Sequence, residues 1–241
     1  RAYFLEENSE MVLFGDEKQN IYERELDSEK KPKIVQGFGR WEALNKSIRH
    51  HGNGGRILDL AKRFQTTFFK DKYEIDTYED TKKEPSLSLD IYKIKSYQND
   101  KINEVVSTII KEIRDYEIHP NDVAILCSNI DLLKNIDYNI RTNYPDKTLT
   151  TFETLEMSKK FPKEIDNIRK RKKIGFNLNN GMIKLSTTHS FKGYEVPTLF
   201  LIIDEEDNEE IVYAGITRSK FNIMVFTKEN SKYNDFFVST K

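Results

Sequence analysis

Residues Ile183 to Ile203 read IKLSTTHSFKGYEVPTLFLII. The stretch opens as a short strand carried by Ile183 and Leu185, then breaks into the polar run Thr187-Thr188-His189-Ser190. Lys192-Gly193 and the acid Glu195 follow, Pro197 closes the turn, and Thr198–Ile203 forms a second apolar strand. Two buried strands bracketing a loop of hydroxyls, imidazole, amine and carboxylate is how α/β proteins present a polar site at strand ends.

The rest of the chain has to supply the sheet around that loop. Its 241 residues suit one large or two small domains, and 37% hydrophobic content can build a core from amphipathic elements. The charged fraction is 33% yet the net charge is −1, so charge is dispersed over solvated faces and any nucleic-acid affinity depends on local patches. Cys127 is the one cysteine, which excludes an internal disulfide and a cysteine-cluster zinc site. It is read as a small core residue of the strand Val123–Cys127. No apolar run approaches the ~20 residues needed to span a bilayer and no signal peptide is visible, so a cytoplasmic protein without a membrane partner is expected. The first residue is Arg1, and Ala2–Leu5 reads like the tail of an element already under way, so the chain is expected to be a fragment of a longer protein.

Outward from the central loop, strands and helices alternate. Met11–Phe14 is a short strand ending at Gly15-Asp16, where Gly15 permits unusual backbone angles and Asp16 can cap the next turn. Asp27–Lys33 is a charged hinge. The glycine corner at 52–55 leads into a helix with Ile57, Leu58, Ala61, Phe64 and Phe68 on one face, and it lacks the Gly-Lys-Ser/Thr of a phosphate loop. Ile91–Ile94 alternates as a strand, and Asp100–Tyr116 is a helix with apolar residues at three- and four-residue steps. His119-Pro120 ends it, Ile130–Ile140 is another helix, and Thr148–Phe152 a short strand. The alternation implies a parallel sheet covered on both faces by helices. Arg169–Lys173 is either a phosphate-backbone patch or a solvated helix end, and the solvated reading is preferred. Asp204–Glu210 follows a strand as a metal-binding acid pair would, but dense acids here are read as solubilising and capping a helix. That helix is expected to run from Glu209 to Lys220 before a strand Phe221–Phe226, with Gly215 inside it signalling close packing or function.

Four segments then carry a resemblance. The central loop is similar to motif V of superfamily 1 helicases of the UvrD/Rep/PcrA type, T-x-H-x-x-K-G-x-E-[FV]. Gly15-Asp16-Glu17-Lys18-Gln19-Asn20-Ile21-Tyr22 resembles their motif III, G-D-x-x-Q-x-I-Y. Leu44 to Arg49 resembles motif IV, with Ile48 where that family often has an adenine-stacking tyrosine. Glu209 to Lys220 resembles motif VI. The segments occur in family order and span roughly residues 10–70 and 120–227. An inserted subdomain that members often carry between motifs IV and V is absent or rudimentary.

The resemblance implies two RecA-like lobes with ATP in the cleft between them. Residues 1–35 would be the end of the first lobe and 36–241 the second. Gln19, Arg49 and Arg218 would be catalytic: Gln19 sensing the γ-phosphate or attacking water, the two arginines reaching the γ-phosphate. Asp16, Gly193 and Glu195 would bind ATP, Glu195 through the ribose hydroxyls. Tyr22, Thr187 and His189 would face nucleic acid, Tyr22 as a stacking platform. ATP and Mg²⁺ are the implied cofactors, both completed by an upstream lobe that supplies the lysine loop and metal acid. The implied partner is single-stranded or partly duplex DNA, with DNA-repair or defence proteins as further candidates. The implied activity is ATP-driven translocation, 3′ to 5′, with this chain alone inactive in hydrolysis. A non-hydrolysing nucleic-acid-binding or regulatory module on the same fold is the alternative.

Overall fold

Short β-branched and leucine-rich runs pair side by side at the centre of the molecule. The computed structural model describes residues 16–19, 21, 55–75, 92–98 and 101–239. Among the described residues six strands form one sheet: β1 (Tyr92–Ser96), β2 (Val123–Cys127), β3 (Thr148–Thr150), β4 (Ile183–Thr187), β5 (Val196–Ile202) and β6 (Ser219–Thr227). Their order across the sheet is β1-β6-β5-β2-β4-β3, and every pair is parallel.

The central strands β2 and β5 are largely apolar because both faces are covered. Alternate residues enter two different cores. Ala124, Leu126, Leu199, Leu201, Ile223 and Val225 pack with α1 (Gly55–Phe68), α6 (Glu209–Ile216) and α7 (Lys232–Ser239). Val123, Ile125, Cys127, Ile183, Leu185, Phe200 and Ile202 pack with α2 (Ile102–Asp115) and α3 (Ile130–Asn143). The parallel sheet flanked by helices expected from the sequence is therefore present, and Cys127 is a buried core residue.

Local chemistry sets the element ends. Asn129 caps α3 by accepting from the amides of Asp131 and Leu132 at 3.0 and 3.1 Å. His119 Nδ1 accepts from Asn121 N, starting the short turn Pro120–Asp122 that leads into β2. Between β3 and β4 the chain forms α4 (Leu155–Lys160) and α5 (Ile165–Ile174).

Several expectations are corrected. The expected helix Glu209–Lys220 stops at Ile216, and Ser219 already belongs to β6. The sheet ends it: Val196 N donates to Arg218 O at 3.0 Å, drawing the chain into the ladder. Pro197 lies inside β5, where its missing N–H coincides with a register shift between Val196 and Thr198. The buried face of α1 includes Leu60 and Gln65, whereas Leu58 is only half-buried; Gln65 Nε2 donates to Tyr213 Oη at 2.6 Å. The acids before α6 are not all solubilising. Asn208 is the cap, and Glu210 is buried, accepting from Tyr73 Oη at 2.8 Å and pairing with Lys72. The expected strand Met11–Phe14 and hinge Asp27–Lys33 lie outside the described residues.

Candidate functional site

The connection between β4 and β5 organises the polar chemistry. Thr187 ends β4 level with Cys127 of β2, whereas Val196 starts β5 beside Ser219, the first residue of β6. Residues 188–195 must therefore run back from the C-terminal ends of the strands to their N-terminal ends. Phe191, fully buried and edge-on to Phe176, pins the middle of this run in the core. Gly193 has φ +94°, a left-handed conformation that favours glycine. The single strand-end site expected from the sequence is thus two sites at opposite ends of one loop.

One end is a corner built around Arg218. This arginine sits in the tight turn between α6 and β6 and is only 4% exposed. Its Nε donates to Ala214 O at 3.0 Å and its Nη2 to Thr217 Oγ1 at 3.0 Å. The same Nη2 donates to Gln19 Oε1 at 2.9 Å. Gln19 is held in turn: Asp16 Oδ2 accepts from its Nε2 at 2.8 Å, and Asp16 Oδ1 accepts from Lys18 N at 3.0 Å, capping the turn Glu17–Gln19. Lys192 Nζ donates to Gln19 O at 3.2 Å. His189 Nε2 donates to Ile21 O at 3.1 Å; a carbonyl only accepts, which puts the proton on Nε2. Glu195 precedes the strand residue bonded to Arg218, and its carboxylate lies 3.9 Å from Lys220 Nζ.

The other end is an open cleft of ≈ 670 Å³ at the C-terminal ends of β2, β3 and β4. Hydroxyls line it from Ser128, Thr151, Thr187 and Ser190. Cationic and imidazole groups come from Arg169, Lys173, Lys192 and His189, and among the described residues that line it none is acidic. Thr187 Oγ1 accepts from Ser190 N at 3.1 Å, which folds the start of the loop over the strand end.

Beneath the cleft lies a buried carboxylate that the sequence reading did not single out. Glu153 is fully buried and accepts from Arg169 Nε and Nη2 at 2.6 and 2.8 Å, with Lys134 Nζ at 2.6 Å. Burial alone would raise its pKa, but the hydrogen bonds from Arg169 and Lys134 outweigh that and bring it down to about 2. Arg169 is therefore not merely a solvated helix end, and neither is Lys172, whose Nζ donates to Thr150 Oγ1 at 2.7 Å. A second buried acid, Asp207, stands behind Ser128, and its burial pushes its pKa up to about 6.

Of the expected site residues, the structure brings Asp16, Gln19 and Arg218 into one corner, with His189 touching the same short segment. Thr187 and His189 line the cleft. Gly193 and Glu195 occupy the loop between the two ends. Arg49, Ile48 and Tyr22 lie outside the described residues. Among the described residues no group of three His, Cys, Asp or Glu side chains could hold a metal ion, and no helix is long and apolar enough to cross a membrane. What the sequence reading missed in the cleft, Ser128 and Thr151, carried one usable signal: each directly follows a strand.

Comparison with solved structures returns helicase domains. The C-terminal domain of a protein described as a possible DNA helicase from Lactobacillus plantarum WCFS1 aligns over 79% of this chain and 93% of its own length, with 10% identity and a TM-score of 0.46. Domain 2 of the DEAD-box helicase Mss116p, bound to an RNA duplex, aligns over 59% of this chain and 56% of its own, with 16% identity and a TM-score of 0.35. The C-terminal part of the Fun30 ATPase domain aligns over 58% of this chain and 45% of its own, with 12% identity and a TM-score of 0.36. The chain thus spans about half the length of the latter two. No family model and no curated protein matches the chain.

Proposed function

We propose that this chain is the second RecA-like lobe, with the end of the first, of an ATP-dependent DNA translocase of superfamily 1 type. In this reading residues 1–35 close the first lobe and 36–241 form the second. The observation that carries the proposal is the 2.9 Å bond between Arg218 and Gln19, residues 199 positions apart. Two segments matched independently to helicase motifs meet through the side chains to which those motifs assign phosphate contacts.

The donor set suits a terminal phosphate. Phosphoryl transfer needs fixed positive charge where negative charge develops, together with a polar group that orients the attacking water. Arg218 supplies the first and Gln19 the second. Arg49 is proposed as a further cation on the same phosphate, and Asp16, Gly193 and Glu195 as nucleotide contacts, with Glu195 accepting from ribose hydroxyls. ATP, when bound with Mg²⁺, supplies the anhydride whose hydrolysis drives movement; the metal ligands are assigned to the first lobe. Gln19 leaving Arg218 for the nucleotide would report its γ-phosphate to the second lobe. The loop carrying Lys192 and His189 would pass that change to the cleft, where Thr187 and His189 face the backbone of a DNA strand, with Tyr22 as a stacking face. Polarity in this reading is 3′ to 5′.

The test is ATP hydrolysis by the full-length protein, with and without single-stranded DNA, beside Arg218→Ala. Stimulation by DNA that disappears in the variant is expected. No hydrolysis under any condition, with DNA still bound, would replace the motor by a binding module.

A further inference from the structure

Helix α5 crosses above the C-terminal end of the edge strand β3, held there by side chains. Arg169 is locked side-on to the buried Glu153 through its Nε and Nη2 edge. Lys172 reaches Thr150 Oγ1 on β3 itself. Lys173 follows Arg169 by four residues, so both project from one face, about 6 Å apart along the axis. That face is the one lining the cleft. Lys170 and Arg171, from the same basic run, are exposed and are not part of the lining.

The lining selects a class of ligand. The described lining, hydroxyls and cations without a carboxylate, suits phosphate oxygens. Phe152, which lines it, is 1% exposed and offers no face for a base. The trough is open rather than enclosing, so it suits a continuous strand better than a whole mononucleotide. The carboxylate that orients Arg169 is satisfied on its buried side by Lys134, so the outer Nη1 edge of the guanidinium is not engaged in that pair.

We propose that Lys173 and Arg169 of α5 form a second wall of the strand-binding cleft, opposite Thr187 and His189, contacting consecutive phosphates of single-stranded nucleic acid without reading sequence. This rests on the strand-binding reading of the cleft. It adds a wall that none of the four helicase-like segments contains, and it assigns two residues of the basic run to binding while leaving the others to solvent.

The test is fluorescence anisotropy of a labelled oligothymidylate with the full-length protein across a salt series. Each lost phosphate contact lowers the slope of log K against log salt by about 0.7 for single strands. Lys173→Ala is expected to weaken binding about three- to tenfold at low salt with a slope loss of that size. Lys173→Glu should weaken it further, and Arg171→Ala should stay within about twofold of wild type. Lys173 is exposed and on a helix surface, so these variants fold. If Lys173→Glu binds like wild type while His189→Ala binds worse, the second wall is overturned and the cleft reading stands. Wild-type protein that binds no strand overturns both. Lys173→Glu weakening ATP binding while leaving the strand untouched makes the cleft a nucleotide site and also overturns the proposal.

Discussion

The two ends of the 188–195 loop each hold a fixed arginine, but they fix it differently. In the cleft, Arg169 meets a fully buried carboxylate through two short bonds, and Lys134 shares the same acid. In the corner, Arg218 meets a neutral amide oxygen, Gln19 Oε1, besides backbone and hydroxyl oxygens of its own turn. Charge-assisted, bidentate pairs are roughly twice as strong as single bonds to neutral acceptors. A phosphate arriving at Arg218 can take the place of the Gln19 amide oxygen; one arriving at Arg169 meets the outer edge of a guanidinium whose other edge stays on Glu153. The Arg218–Gln19 bond can exchange for a phosphate, whereas the Arg169–Glu153 pair stays in place.

The largest expected effect breaks the corner. Arg218→Ala in the full-length protein should lower the ATPase kcat by about 10³-fold, as removal of an arginine finger does. It should leave strand affinity without nucleotide within about threefold. Steady-state hydrolysis and anisotropy on the same preparation check this, and equal losses in both would erase the distinction between the two ends. Next comes the cleft's foundation. Glu153→Gln leaves Lys134 and Arg169 facing a neutral group in a buried site, and should destabilise the protein by about 3 kcal/mol, the lower part of the range for breaking a buried pair because Arg169 is 32% exposed. Urea unfolding measures it; a loss below about 1 kcal/mol would show that the cluster is solvated and the cleft no more rigid than the corner.

These two regions were unequally legible in the sequence. Gln19 and Arg218 were legible through the resemblance of their segments to helicase motifs III and VI, which can be seen without a fold. The strands Val123–Cys127 and Ile183–Thr187 and the helix over 102–115 were equally readable from apolar period. Glu153 and Arg169 were not, because nothing in TFETLEM or DNIRKRKK says that one acid will be covered by a helix sixteen residues on. The exchange of Leu58 for Leu60 on the α1 face, and the early end of α6, have a similar origin. Packing and sheet pairing decide them, and local periodicity does not.

A third prediction concerns the acid behind the cleft. Burial disfavours the charged form of Asp207 and pushes its pKa up from 3.8 to about 6, against a hydrogen bond from Ser128, a cleft residue. A raised carboxylate pKa stabilises the folded state fully below the unfolded value and is lost as pH rises through the folded one. Stability should therefore fall between about pH 4 and pH 6 by an amount on the order of 2 kcal/mol. Asp207→Asn should flatten that fall and leave the variant more stable than wild type above pH 6. Thermal unfolding across this window checks it, and an unchanged pH profile would remove Asp207 as its source.

The smallest effect tests how the corner is held. Gly215 lies in α6, and its carbonyl accepts from Arg218 N at 3.0 Å, so the depth of α6 sets the position of the arginine. A Cβ at 215 would come within 2.7 Å of Leu201 Cδ1 on β5, closer than real contacts allow. Ala is the better helix former by about 1 kcal/mol, while overpacking a core costs about 1–3 kcal/mol. The clash wins because Leu201 is itself buried and cannot simply swing away. Gly215→Ala should thus destabilise by about 1 kcal/mol and, by lifting α6, lower ATPase activity more than stability alone explains. Adding Leu201→Ala makes room for the methyl, so the double variant should recover activity although the second change by itself opens a cavity. If Gly215→Ala is as active as wild type, Arg218 is positioned by its own turn, and the packing of α6 on β5 has no part in the difference between the two ends.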